Sequence, residues 1–276
     1  MNIRYKIQDL IYSISSQPKQ TSNPIKMKPG AISVILNVYK RQNMLEKQIE
    51  AVLNQSVPIH AEDIHVWYNG DGPDPQYSRI NTYKCNYNTT AYGRFIPLLL
   101  CNTEYVAVFD DDTIPRVDWF KSCLETMDDV NGILGCTGVI VPRAGDKNPY
   151  YKVGWNGVHN EKTKRVDYVG HSWFFRQEWA KYMWYEQPVT WETGMDMWFS
   201  YQAQKYGGIN TFVPPHPDGD KDIWGATTDI SMKIGRDRNA SWRRSGWTAK
   251  RHNLHWYCIR NGWNTVKQLL DGIKDV

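Results

Sequence analysis

Residues 104–109, EYVAVF, form a nearly unbroken apolar run that ends in three aspartates, Asp110, Asp111 and Asp112. A strand that is apolar on successive positions has both faces covered. That is the pattern of a sheet packed between helices, not of a half-wetted hairpin. Residues 31–36, AISVIL, repeat it. Residues 62–68, EDIHVWY, give another strand, which stops at the turn cluster NGDGPDP. In between, Met44, Leu45, Ile49, Val52 and Leu53 are apolar at helical spacing. This alternation predicts an α/β fold with a mostly parallel central sheet flanked by helices. Ligands of such sheets sit beyond the carboxyl ends of the strands, where the NGDG turn and the three aspartates both fall.

The remaining pattern is more varied. Residues 79–85 read as a short strand and 91–100 as a helix interrupted at Pro97. Pro115 is expected to open a helix through about Met127, and 133–141 to form a strand. Met195, Trp198, Phe199, Ala203 and Tyr206 have helical spacing, with Thr193 as the expected N-cap. Residues 209–213 read as a last strand, and the tail is expected to end in a helix near 262–274. Three regions follow: an arm over 1–30, a domain over 31–215 and an aromatic-rich extension over 216–276. Within the domain, 31–141 and 142–215 form two halves.

The chain of 276 residues is 41% hydrophobic and 22% charged, ordinary values for a globular protein. No apolar stretch reaches the roughly 18–20 residues that span a bilayer. The start, MNIRYKIQDLIYSISS, lacks the compact apolar core of a signal peptide, so the expected location is the cytoplasm, with peripheral membrane attachment left open. Five scattered cysteines without a C-x-x-C argue against a disulfide framework or a structural zinc site. A net charge of +4 without a long basic run points away from nucleic acid. Thirteen tryptophans are unusual, and flat indole faces either fill cores or stack on sugars.

Three adjacent carboxylates repel one another unless neutralised. In extended backbone Asp110 and Asp112 project to one side. Two such carboxylates suit a hard divalent cation, Mg²⁺ or Mn²⁺, with open positions for phosphate oxygens. That ion would bridge a nucleotide diphosphate and neutralise charge as it departs. Gly170 in VGHSWFF would let a backbone approach a sugar. His171, Trp173 and Phe174 are candidates for sugar or acceptor contacts.

The ordered segments 33–55, 63–72, 105–115, 169–179 and 194–208 together resemble glycosyltransferase family 2 and its GT-A relatives. The VG-aromatic segment is also similar to the exostosin-type transferase domain. The resemblance covers roughly 31–215. It implies a GT-A fold and a metal-dependent transfer from a UDP- or GDP-sugar to a hydroxyl of a glycan or related acceptor. By that resemblance Asn37, Val38 and Tyr39 contact the base and ribose. Asn69 stands at the second-strand acidic pair, and Arg94 faces the phosphates. Asp110 and Asp111 lie at the donor, and Asp110 and Asp112 at the metal, with His216 as a late third ligand. Arg243 and Arg244 would clamp the diphosphate from a C-terminal segment that closes over the donor.

Two departures stand out. Tyr68-Asn69 replaces a pair of acids, which leaves the base open. Met195-Asp196 replaces the acceptor-side acidic pair, so Asp196 alone would take the acceptor proton, with inversion favoured. A helix N-terminus keeps such a carboxylate ionised, and Glu192 is the alternative base. A nucleotidyltransferase on a similar scaffold and a non-catalytic carbohydrate-binding protein remain as rivals.

Overall fold

The computed structural model describes residues 27–70, 77–142, 150–154, 158–226, 235–237 and 240–268. Four strands build the first half of the main sheet: β1 (Lys28–Val38), β2 (Ile64–Asn69), β3 (Asn81–Cys85) and β4 (Thr103–Phe109). β1 pairs in parallel with β2 on one side and β4 on the other. Val34, Ile35 and Leu36 are therefore wholly buried, as their unbroken apolar run requires.

Beyond β4 come β5 (Ile133–Leu134), β8 (Lys164–Val166), β10 (Ser172–Arg176) and β11 (Thr211–Val213). The eight strands run in the order β3-β2-β1-β4-β10-β5-β11-β8. β10 is antiparallel to both β4 and β5, and β11 to β8. A smaller antiparallel sheet joins β6 (Thr137–Ile140) to β7 (Tyr151–Val153) and β9 (Tyr168–Gly170). The strand order reverses between β1 and β4, which opens a crevice at their carboxyl ends. Among the described residues the sheets are accompanied by α1 (Leu45–Leu53), α2 (Trp119–Val130), α3 (Met195–Gly207) and α4 (Trp247–Arg260), and residues 266–268 are also helical.

The sheet and α1 agree with the sequence expectation; several boundaries do not. Residues 28–30, expected in an arm, already belong to β1, while 1–26 lie outside the described residues. The 91–100 segment forms two 3-10 turns, Gly93–Phe95 and Pro97–Leu100, instead of one helix. Pro115 does not open α2. The Arg116 and Asp118 amides donate to the Trp224 and Asp222 carbonyls, and a turn at 117–118 precedes the helix, which starts at Trp119. The 133–141 run splits between the two sheets at Gly135. Gly194, not Thr193, stands at the N-cap of α3. Its φ of +78° favours glycine, and a Cβ there would have to displace the Leu254 side chain, 2.3 Å away.

The tail holds a helix that the sequence did not announce, α4, beginning at residue 247; residues 266–268 are helical within the expected 262–274, and 269–276 lie outside the described residues. α4 buries only Leu254, His255 and Cys258, too few apolar positions to print a stripe on the sequence. Leu254, Cys258 and Trp263 join the same core as the sheet. Asp167 fastens the segment behind them: its two oxygens accept the Val141 and Val266 amides, each at 2.7 Å. Burial pushes that carboxyl up to about 6 against those hydrogen bonds. Among the described residues no helix is long and apolar enough to cross a membrane.

Candidate active site

The three aspartates leave the carboxyl end of β4 in a turn closed by the Thr113 amide on the Asp110 carbonyl, 3.1 Å. Gln48 knots this turn from beneath. Buried on α1, its Nε2 donates to the carbonyls of Asp110 and Thr113, both at 2.8 Å. Sequence reading passed over Gln48, although a polar residue on the apolar side of an amphipathic helix is a visible signal.

His171 completes the cluster. It sits between β9 and β10 with φ +62°, a region that a β-carbon disfavours. Its carbonyl accepts the Asp110 amide at 2.9 Å. Its Nδ1 lies 3.6 Å from Asp112 Oδ1 and 3.9 Å from Asp110 Oδ2. One ligand atom from each of Asp110, Asp112 and His171 falls within 4.8 Å of the others. Two carboxylate oxygens and one imidazole nitrogen could hold a divalent metal ion.

Two arginines balance the negative charge. Arg94, buried, is ion-paired with Asp110 and lies over the Trp173 ring at 5.9 Å. The neighbouring Gly93 leaves room for the Thr89 side chain, whose Oγ1 lies 1.8 Å from where a Cβ would stand. Arg41, in the loop after β1, reaches Asp111 Oδ1 at 2.6 Å and Asp112 Oδ2 at 3.4 Å. Its other nitrogens bind Asp237 of the tail at 2.9 and 3.2 Å. Burial pushes Asp111 up to about 6, opposed by Arg41 and aided by the Asp112 charge. Burial would also raise Asp112, but His171, Arg41 and Arg94 overcome it and hold that carboxyl below its usual range.

Residues 33–184 match the model of Glycosyl transferase family 2, more than half of the chain. The chain belongs to this family. No curated protein matches it. Among solved structures, the crystal structure of GalNAc-T7 with UDP, GalNAc and Mn²⁺ superposes with a TM-score of 0.51 at 10% identity. The match covers 67% of this chain and 42% of that one, so this chain spans less than half of its length. The shared architecture is the GT-A fold, and the family 2 match places the β1 loop, the aspartates and His171 inside the matched span.

Asp196 stands in the first turn of α3. Arg251 of α4 grips it with a two-pronged bond, Nη1 to Oδ1 at 2.8 Å and Nη2 to Oδ2 at 3.0 Å. The Met197 amide adds a further bond to Oδ1 at 2.9 Å. Arg251 lies against Tyr168 and Trp247, 5.2 and 4.9 Å from their ring centres. Glu192, exposed, is paired with Lys250, the neighbour of Arg251. Consecutive cations of α4 thus meet both expected acceptor-side acids, and nothing in the sequence pattern announces either pairing.

The other expected residues divide. Asn37 is buried at the end of β1, and its Oδ1 has no hydrogen-bond partner among the described residues. Tyr39 is half-buried with Lys40 over its ring. Asn69 is engaged elsewhere: its side chain binds Thr89 through the amide and hydroxyl, each at 2.7 Å, and the Thr90 carbonyl at 2.9 Å. It anchors the loop that leads to Arg94. Trp173 and Phe174 are core residues, 2% and 0% exposed, so neither presents a face to a sugar. Gly170 has open space beside it, its Cβ position meeting only Thr137 Oγ1 at 3.7 Å. His216 stands outside the metal cluster, stacked on Trp224 with ring centres 4.2 Å apart. Arg243 and Arg244 are exposed, and Arg243 donates to the Arg236 carbonyl at 2.8 Å. In place of these two, Arg41 and Arg94 supply the cations at the aspartates.

Proposed function

We propose that the protein transfers a hexosyl-type group from a nucleoside diphosphate sugar to a hydroxyl of a glycan or related acceptor, with a divalent ion at Asp110, Asp112 and His171. The observation that carries this reading is that cluster, set at the strand-end crevice of a family 2 domain. The ion would supply Lewis-acid neutralisation of the diphosphate. Asn37, with its unpartnered oxygen, and Tyr39 would meet the base and ribose. Arg94 would face the phosphates beside the ion, where a buried guanidinium counts for more than one in water. UDP is the first donor base to test, because the GalNAc-T7 structure holds it; GDP is the second.

Asp196 is proposed as the acceptor-side carboxylate. A carboxylate has about four lone-pair positions. Three are taken by Arg251 and the Met197 amide, which leaves one on Oδ2 for the proton of an acceptor hydroxyl. Such a base fits transfer with inversion. The C-terminal extension is proposed as part of the site, because Asp237 and Arg251 tie it to both halves. Calorimetry of UDP and GDP, with and without Mn²⁺, tests the donor site. Asp112→Asn should lose the Mn²⁺-dependent part of the affinity while keeping its thermal midpoint. Unchanged metal-dependent binding in that variant would refute the assignment.

A further inference from the structure

We infer that Trp191 is the platform on which a pyranose ring of the acceptor stacks; this rests on the transferase reading and narrows its acceptor to a glycan. Among the described tryptophans, only Trp191 and Trp242 are exposed, at 44% and 49%. Trp242 is already engaged. Its Nε1 donates to the Gly235 carbonyl at 3.2 Å, and Arg243 lies 4.7 Å from its ring centre. Among the described residues Trp191 has one ring contact, with buried Tyr92, at 5.0 Å between centres and 65° between planes. An edge contact fixes an indole while covering at most one of its faces.

The position of this ring argues for a ligand more than the exposure does. Tyr92 lies two residues before Arg94, which pairs with Asp110. The Tyr92 hydroxyl donates to the Thr190 carbonyl at 3.1 Å, which ties the loop carrying Trp191 to the donor half. Five residues later the same loop delivers Asp196. Trp191 is therefore held on the stretch that joins the donor-side arginine to the acceptor-side carboxylate. The exposed Glu192–Lys250 pair follows directly and offers an acceptor and donors for hydroxyl groups. An apolar plane beside paired charges matches a pyranose, whose C–H face is apolar and whose equatorial edge carries hydroxyls. A flexible peptide hydroxyl needs no such plane.

The probes are soluble chito-, cello-, malto-, xylo- and manno-oligosaccharides, titrated by calorimetry and followed by saturation-transfer NMR on the free protein. One series should bind. Trp191→Ala should weaken it by about tenfold, as loss of one aromatic stacking contact implies, while Trp191→Phe should restore most of it. Trp191→Gln serves as the second truncation, with thermal melting to establish that each variant folds. No binding of any series, or wild-type affinity kept by both Trp191→Ala and Trp191→Gln, overturns the inference. Turnover of nucleotide sugars is read separately. A glycan that depends on Trp191 without turnover keeps this subsite and removes the transferase reading. Turnover with glycan binding indifferent to Trp191 does the reverse.

Discussion

Asp196 and His171 show how a residue type becomes a role only through its neighbours. An Asp in a first helical turn commonly stabilises the helix; here the grip of Arg251 fixes both oxygens and leaves one lone pair outward. Asp196→Asn nearly preserves shape. It is expected to lower kcat by about 10²–10⁴-fold, the usual contribution of a general base, with donor affinity near normal. Glu192→Gln, measured in the same steady-state assay, should change kcat far less; the reverse order would move the base to Glu192. His171 was expected as a sugar contact and His216 as the metal ligand, and the structure brings His171 to the aspartates instead. The loss of a group that only orients a metal ligand costs about 10–100-fold in affinity. His171→Ala should therefore weaken Mn²⁺ binding at least tenfold by that measure, in a paramagnetic-resonance titration. His216→Gln should leave it unchanged.

At the scale of elements, β1, β2, β4 and α1 were legible because each obeys one period throughout. α4 was not, because a polar helix held by an ion pair, a buried histidine and two small apolar contacts has no periodic stripe. The Asp110–Asp112 turn was legible as chemistry, whereas Gln48, Arg41 and Arg251, which hold the acids in place, act across 62, 70 and 55 residues of sequence and leave no local trace. Two tests probe the tail's attachment. Asp167→Ala strands the Val141 and Val266 amides and is expected to cost about 2 kcal/mol, seen as a lower urea midpoint at constant m-value. His255, wholly buried, has its pKa pushed down to about 4 by burial and by His252. Unfolded, it titrates near 6.5. Stability is thus intact above pH 6.5 and is lost as pH falls toward 4, because the unfolded chain takes up the proton first. Asp167 acts oppositely below pH 6, its raised carboxyl regaining protons in the fold. Relative to wild type, His255→Phe should be spared about 2 kcal/mol of the loss between pH 7 and pH 5. An identical pH profile would deny the imidazole that cost.

In the whole molecule, the aspartates after β4 gather groups from distant parts of the described chain: Arg41 of the β1 loop, Arg94, His171 of the β9–β10 junction and, through Arg41, Asp237 of the tail. The five ordered motifs made the GT-A fold readable, and the family 2 match agrees with them. The most direct test of the metal-held donor site is release of nucleoside diphosphate from a panel of UDP- and GDP-sugars. It is followed with Mn²⁺, with Mg²⁺ and with chelator, for the wild type and Asp110→Asn. At least one donor should be cleaved with metal, cleavage should cease with chelator, and Asp110→Asn should be inert although folded. Cleavage that persists in chelator, or that survives in Asp110→Asn, would contradict a metal held by Asp110, Asp112 and His171.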